Sequence, residues 1–377
     1  MWSRTIDSVP ASGIRRIFEL SSRMNDVIQL SVGEPTLPLA PHVLRAGADA
    51  WLRDDMGYMP NSGIAPLREA LVEEVRAMTG VDVDVERVHV TAGGSQALHM
   101  AMVFTLDPGD EILVPDPGYS TFRMASRLVG AVPVPYPLAH DRGFVPDVAD
   151  LEELVTPRTR VLLVNSPSNP LGVVFDRAQM SALVSFARRH GLWIISDEVY
   201  EHLSFGEPPV SPLSLDGDGC VFSVHSFSKT FGLTGGRIGY LVTPAGADER
   251  FRAAQEATVS CVNTPVQWAA LAALRGPQDY LEGARAHFRG NVEAGCAALG
   301  AAGLRHVRPG GAFYLWVDVS HASHGDVAAW AEEFLRSRRV AVAPGSAFGA
   351  RGEGWIRLCA AGGRTDLLEA ISRLPRP

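Results

Sequence analysis

The chain has 377 residues, 46% hydrophobic and 20% charged, which is ordinary globular material for one large or two medium domains. Its net charge is −8 and no polybasic stretch occurs, which argues against a nucleic-acid partner. The four cysteines (Cys220, Cys261, Cys296 and Cys359) lie far apart with no CxxC spacing, so zinc and disulfide scaffolds are poor readings and a reduced, cytoplasmic compartment fits best.

The first thirty residues mix arginines and acids without an unbroken apolar core, so no signal peptide is expected. No apolar run approaches the roughly 20 residues that a membrane helix needs. From residue 88 to 240, short apolar runs alternate with helical patterns. The runs predict strands at 88–91, 111–114, 132–136, 161–165, 193–196, 220–224 and 238–242. Several are rich in β-branched residues and flat in polarity, as strands buried on both faces should be. Helices are predicted between them at 95–104, 119–129 and 177–190. This alternation predicts an α/β fold with a mostly parallel seven-stranded sheet flanked by helices. Farther on, a long helix is expected over 277–299, strands at 313–317 and 355–358, and helices at 325–338 and 365–374. That remainder reads as a smaller α+β domain.

The candidate functional residues follow in chain order. Gly33 sits in the tight turn Ser31-Val32-Gly33-Glu34-Pro35, where backbone can approach a ligand. Tyr58 precedes a loop and a helix with Pro66 near its start; nothing local assigns it a role. Ala92-Gly93-Gly94-Ser95-Gln96 joins a predicted strand to a helix. Glycines there let backbone meet an anion at the positive end of a helix, although Gly-Gly also marks an ordinary turn. Tyr119 follows a strand in Pro117-Gly118-Tyr119, where an aromatic can stack on a planar heterocycle or simply pack in the core. Asn169 lies in Ser168-Asn169-Pro170-Leu171-Gly172, a turn former that can also donate from its side chain.

Asp197 ends the run Trp193-Ile194-Ile195-Ser196-Asp197, at the carboxyl end of a strand, where ligands bind in open α/β sheets. A carboxylate there can hold a protonated pyridine nitrogen; an acid at a helix N-terminus is the alternative, and Glu198 fits that better. Tyr200 supplies a second donor to the same region or a packed aromatic. Lys229, in Ser226-Phe227-Ser228-Lys229-Thr230, is placed at a strand end among small residues. An amine so held can lose its proton and attack a carbonyl, although most lysines are simply solvated. Ser226 and Arg237 can add a hydroxyl and a guanidinium to an anion site, and Arg237 stands among Gly235, Gly236 and Gly239. Arg357, in Trp355-Ile356-Arg357-Leu358, reads as a strand residue on a polar face. It can clamp a carboxylate or form an edge-strand ion pair. No metal is called for.

Together these segments resemble the pyridoxal-phosphate (PLP)-dependent aminotransferases of class I and II, with the fold of aspartate aminotransferase (fold type I). The resemblance runs from about residue 15 to the C-terminus. Its elements stand in family order: Gly33-Glu34-Pro35, Tyr58 with Gly63-Ile64 and Leu67-Arg68, Gly93-Gly94-Ser95-Gln96, Pro117-Gly118-Tyr119, Asn169-Pro170-x-Gly172, Asp197-Glu198-Val199-Tyr200, Ser226-x-Ser228-Lys229, Arg237-x-Gly239, Gly311-x-Phe313-Tyr314, Pro344-Gly345-Ser346 and Arg357. Leu171 replaces the commoner threonine and Ser166 interrupts the usual Asn-Pro, but neither change removes a catalytic group.

The resemblance implies that Lys229 carries the PLP imine, Asp197 pairs with the ring nitrogen, and Asn169 and Tyr200 reach the phenolic oxygen. It implies that Tyr119 stacks on the ring and that Gly94, Ser95, Ser226 and Arg237 hold the phosphate. Tyr58 would reach the phosphate of a neighbouring subunit, which implies a homodimer with shared active sites. Arg357, the Gly33 backbone and Asn169 would bind the substrate α-carboxylate. A large domain over 46–275 and a small one from 1–45 plus 276–377 are implied likewise. The activity implied is amino transfer between an L-amino acid and a 2-oxo acid with ping-pong kinetics. The alternative on the same fold is a PLP-dependent lyase or cyclase, by β- or γ-elimination, C–S cleavage or ring closure. A non-catalytic sensor domain of a transcription factor is disfavoured, because Gly33 falls within the first forty residues.

Overall fold

The apolar runs of the chain's middle form one seven-stranded sheet in the computed structural model, which describes every residue except Met1, Asp55, Gly217 and Asp218. Its strands are β1 (Val88–Thr91), β2 (Glu111–Asp116), β3 (Val132–Pro137), β4 (Thr159–Asn165), β5 (Trp193–Asp197), β6 (Val221–Ser226) and β7 (Gly239–Val242). They lie in the order β1-β7-β6-β5-β4-β2-β3. Strands β2 to β6 pair in parallel, and β7 runs antiparallel to both β6 and β1.

Strand periodicity sorts the side chains to two faces. On β4, Val161 and Leu163 join one apolar core with Ile112, Val114 and Ile195; Leu162 and Val164 join the other with Leu113 and Ile194. Both faces are apolar because helices cover both, which is why these strands read as continuous hydrophobic runs. Helix Arg177–His190 is fixed at its ends by sequence. Asp176 accepts from the Gln179 N–H at 2.8 Å while the Gln179 side chain accepts from the Asp176 N–H at 2.9 Å, and Gly191 stops the helix at φ 63°.

Three helices border the carboxyl ends of these strands: α1 (Gly13–Ser21), α2 (Gly94–Thr105) and α3 (Ser120–Leu128). The last residues of β2, β4, β5 and β6 are Asp116, Asn165, Asp197 and Ser226, so polar groups gather at one edge of an apolar sheet. That edge is where an open parallel sheet binds its ligand.

A second, antiparallel sheet contains β8 (His306–Val307), β9 (Tyr314–Asp318), β10 (Ala343–Pro344) and β11 (Trp355–Cys359), in the order β10-β11-β9-β8. Leu315, Val317, Ile356 and Leu358 share its core with Ile17 of α1 and Leu367 of helix Arg364–Ser372. Ile28–Gln29 pairs in parallel with Val340–Ala341, which ties the N-terminal segment to this part of the chain. Among the described residues no helix is long and apolar enough to cross a membrane.

Local departures from the sequence expectation are informative. Lys229 is not on an irregular strand end but in a single helical turn, Phe227–Thr230, started by Ser226, whose Oγ accepts from the Ser228 N–H at 3.1 Å. No α-helix follows Asp197, so Glu198 is not a helix N-terminal acid. It is buried and accepts from Ser211 Oγ at 2.9 Å and Ser223 Oγ at 3.0 Å. Nor does Arg357 occupy a polar face or an edge strand. β11 is internal, and the guanidinium lies 4.4 Å from the Tyr314 ring centre and 5.0 Å from that of Phe348. Cation–π contact explains how a charge sits on an aromatic face.

Candidate active site

A cleft of about 510 Å³ opens beyond the carboxyl ends of β4, β5 and β6, a volume typical of small-molecule sites. Its lining brings together eleven of the twelve candidate residues: Gly33, Gly94, Ser95, Tyr119, Asn169, Asp197, Tyr200, Ser226, Lys229, Arg237 and Arg357. Tyr58 is not among them and is 90% exposed.

One end of the cleft is built for an anion. Helix α2 begins at Gly94 with no side chain capping its first turn, so its amino end stays available to a ligand. Gly93 has φ 84°, and a Cβ there would lie 2.6 Å from Arg237 Nη2. Only glycine lets that guanidinium settle against the start of α2. Arg237 itself takes φ 53°, and its Nη1 donates to the Thr234 carbonyl at 2.9 Å. Gly239 is equally required, since a Cβ there would meet the Gly94 nitrogen at 2.8 Å. Backbone N–H groups, the Ser226 hydroxyl and one guanidinium form a cradle whose chemistry fits a phosphate.

The floor carries the groups that titrate. Asp197 is buried at the end of β5, and its Oδ1 accepts from the Val199 N–H at 3.3 Å. Burial pushes its carboxyl up to about 7, with a further push from the charge of Glu198. A buried carboxylate so placed fits a donor that brings its own positive charge, as a protonated ring nitrogen does. Lys229 Nζ donates to the Gly33 carbonyl at 2.6 Å. Burial lowers its ammonium to about 8, and the guanidiniums of Arg357 and Arg237 push the same way.

The opposite wall is a hydrogen-bonded lattice around Arg357, which is 2% exposed. Arg357 Nη1 donates to Asn169 Oδ1 at 2.9 Å and Nη2 to the Ser31 carbonyl at 2.6 Å, while its Nε is buried without a partner. That orphaned donor and a fixed fork suit a carboxylate. Asn169 is held in turn by Asn165, whose Oδ1 accepts from the Asn169 N–H at 2.9 Å. Tyr200 and Tyr314 share a 2.6 Å hydroxyl contact, and burial raises both phenols. A Cβ on Gly33 would lie 2.1 Å from the Tyr314 hydroxyl, so this turn admits only glycine at its closest approach. Tyr119 is half-buried and edge-on to Phe122, with ring centres 5.7 Å apart. Anion cradle, charge-pairing carboxylate, amine and carboxylate fork together match the parts of a pyridoxal phosphate site.

Sequence reasoning passed over one decisive signal. Lys229 is the only lysine in the chain; the other 33 of its 34 Lys and Arg residues are arginines. Arginine cannot lose its proton in a protein, so the one basic side chain able to become a neutral amine is the one on the cleft floor. Sequence reasoning also passed over Ile14, Phe18, Leu98 and Met124, which reach the cleft from three helices where they look like ordinary core positions.

The lowered Lys229 has a consequence for stability that needs no substrate. A folded-state value near 8 against 10.5 unfolded means that the ammonium is carried at a cost below pH 8. The unfolded chain binds more protons between those values, so this group's contribution improves as pH rises from about 8 to 10.5. Lys229→Met should therefore make the cofactor-free protein more stable near pH 7, by up to roughly 3 kcal/mol. Urea unfolding checks this: the gap between the variant and the natural protein should close as pH approaches 10.5. A gap independent of pH would show that the ammonium carries no penalty.

The family model "Aminotransferase class I and II" matches residues 25–374. A probable aspartate/prephenate aminotransferase of Thermus aquaticus is 37% identical over 361 residues, covering 95% of this chain and 93% of its own. An aromatic-amino-acid aminotransferase 2 of Thermococcus litoralis is 33% identical, covering 99% and 97%. The solved structure of the Thermus thermophilus aspartate aminotransferase with maleate superposes with a TM-score of 0.94 at 33% identity, over 99% of this chain and 98% of that one.

Proposed function

The chain belongs to the class I and II aminotransferases, which are PLP-dependent enzymes, and on that premise we propose that it moves the amino group of an L-amino acid to a 2-oxo acid in two half-reactions at Lys229. The observation that carries this reading is the sole lysine of the chain, half-buried at the cleft floor with its ammonium lowered to about 8. The relatives reported above carry aminotransferase names, so a lyase or cyclase is not favoured.

In this reading Gly94, Ser95, Ser226 and Arg237 hold the cofactor phosphate, Asp197 the ring nitrogen, and Asn169 and Tyr200 the phenolic oxygen, while Tyr119 covers the ring. Pyridoxal phosphate supplies an aldehyde carbon that condenses with amines and a cationic ring that takes up an electron pair. Arg357 orients the substrate by its α-carboxylate, with the Gly33 backbone and Asn169 beside it. Lys229 Nζ, once free and neutral, takes the Cα proton as general base and later delivers a proton as general acid. Asp197 keeps a negative charge where the ring nitrogen must stay protonated. The lysine's lowered ammonium leaves a useful fraction in the basic form near neutral pH.

Two further assignments belong to this reading. Tyr58 is exposed, as are Trp51, Leu52 and Met56 nearby in the chain, apolar surface that suits burial against a second copy, where Tyr58 would complete the partner's phosphate site. We divide the chain into a large domain over 46–275 and a small one of 1–45 with 276–377. The four free cysteines fit a cytoplasmic location.

Mixing the loaded enzyme with an amino donor and no acceptor tests the two-step scheme. One equivalent of 2-oxo acid per chain should appear and then stop until an acceptor is added. Continuous release of ammonia instead would mean elimination. Arg357→Lys, which keeps the charge but loses the fork, should raise the KM of the amino donor about 10- to 100-fold, with a smaller effect on kcat. An unchanged KM would remove Arg357 from carboxylate binding.

A further inference from the structure

We propose that the outer wall of the cleft receives an aromatic or bulky aliphatic side chain, and not a second carboxylate, with Phe18 and Met124 as the residues that set this preference. The inference rests on the aminotransferase reading and adds the substrate class to it.

The cofactor and α-carboxylate groups account for the polar floor and one end of the cleft. What remains includes the hydroxyls of Ser12, Ser120, Thr121 and Thr234 and an apolar set from separate segments. Ile14 and Phe18 project from α1, Val32 from the turn before Gly33, Leu98 from α2 and Met124 from α3. All five are apolar. Leu98 is buried, and the other four are half-buried, so they keep surface that a ligand can cover. Covering such surface is the main source of affinity for an apolar side chain. Helix α1 is not loosely placed: Ile17, one residue before Phe18, is 1% exposed in the core of the second sheet. That anchor fixes the face that Phe18 turns to the cleft.

Charge points the same way. Apart from the residues already assigned, the ionisable groups lining the cleft are Arg15 and Glu34. Glu34, a carboxylate held by the Thr234 hydroxyl at 2.6 Å, is exposed and adds only a weak bias against a second negative charge. Arg15 is exposed, with its guanidinium 5.5 Å from the centre of the Phe18 ring. A charge in water discriminates weakly, unlike the buried Arg357. Arg357 and Arg237 are already assigned, to the α-carboxylate and to the phosphate, and are further tied to Asn169, the Ser31 carbonyl and the Thr234 carbonyl. The part of the wall that this chain supplies therefore offers contact area without a buried cation. Methionine adds adaptability, since its unbranched thioether packs well against rings.

The test is a donor panel on the loaded enzyme, reading kcat/KM of the half-reaction for L-phenylalanine, L-leucine, L-alanine, L-aspartate and L-glutamate. Competition by 3-phenylpropionate and by succinate supplies a readout without chemistry. L-Phenylalanine should exceed L-aspartate by about 10-fold or more, and 3-phenylpropionate should bind more tightly than succinate. Phe18→Ala and Met124→Ala should each lower phenylalanine about 10-fold or more, and by a larger factor than alanine. The donor panel on the natural sequence stands even if a variant folds poorly. Preference for aspartate or glutamate that Arg15→Ala abolishes would overturn the proposal and make Arg15 the reader of a distal carboxylate. Equal use of all donors overturns this inference alone. If L-alanine and every other donor fail, the aminotransferase reading fails and takes the inference with it.

Discussion

Lys229→Ala should lower the rate of the amino-donor half-reaction on the order of 10⁴-fold, the upper end of what positioned acid–base catalysis contributes. The reason is specific to this chain. No second lysine exists to substitute for it. Arg237 and Arg357 share the cleft, but a guanidinium stays charged and cannot take a proton from a carbon. Lys229→Arg should therefore be about as defective as Lys229→Ala, although it keeps the charge. Lys229→Ala should not unfold the protein, because the Lys229 ammonium is carried at a cost. Circular dichroism and urea midpoints would confirm that the fold persists. A Lys229→Ala protein that kept more than about a tenth of the natural rate would place the proton transfer on another group.

Asp197→Asn should have the next largest effect, a loss of about 10²- to 10³-fold in the same half-reaction, the size seen when one preorganised electrostatic group is removed. Asparagine keeps the shape and the contact with the Val199 N–H turn but cannot hold a positive charge opposite it. A pH signature accompanies the loss. Burial raises the Asp197 carboxyl to about 7 in the cofactor-free protein, so the folded state binds more protons than the unfolded one between about 4 and 7. Its contribution to stability thus falls as pH rises through that window. A cationic ring placed against it reverses this, so cofactor affinity should strengthen as pH rises through about 7. Asp197→Asn should flatten this part of the profile; Lys229, titrating near 8, should leave its own part intact. An unchanged cofactor pH profile in Asp197→Asn would separate this carboxylate from the ring nitrogen.

Much of the site is readable from sequence because it hangs on strand ends. Asp197 and Ser226 close β5 and β6, and apolar runs locate those ends within two residues. Gly93 and Gly94 are legible for a related reason, since a strand followed at once by a helix needs a turn that backbone alone can make. Arg357 was legible as a carboxylate clamp but not in its setting. Its strand shows apolar neighbours, and nothing local reveals that the rings of Phe348, nine residues back, and Tyr314, on the neighbouring strand, meet its guanidinium. Glu198 was misplaced because a strand followed by two acids reads as a helix start. Its partners Ser211 and Ser223 lie 13 and 25 residues away. Phe18 and Met124 were invisible for a third reason: an apolar residue on a helix carries no mark that tells a cleft from a core. Side-chain specificity, in this fold, depends on how helices from distant segments meet, and periodicity does not encode that.

The central claim is that the single lysine of this chain is the cofactor's attachment point, and borohydride treatment of the PLP-loaded protein tests it most directly. The account predicts that intact mass rises by one reduced cofactor per chain, that the added mass lies on the peptide containing Lys229, and that Lys229→Arg shows none. A loaded protein whose mass does not change on reduction, or a Lys229→Arg variant that gains the same mass, would contradict it.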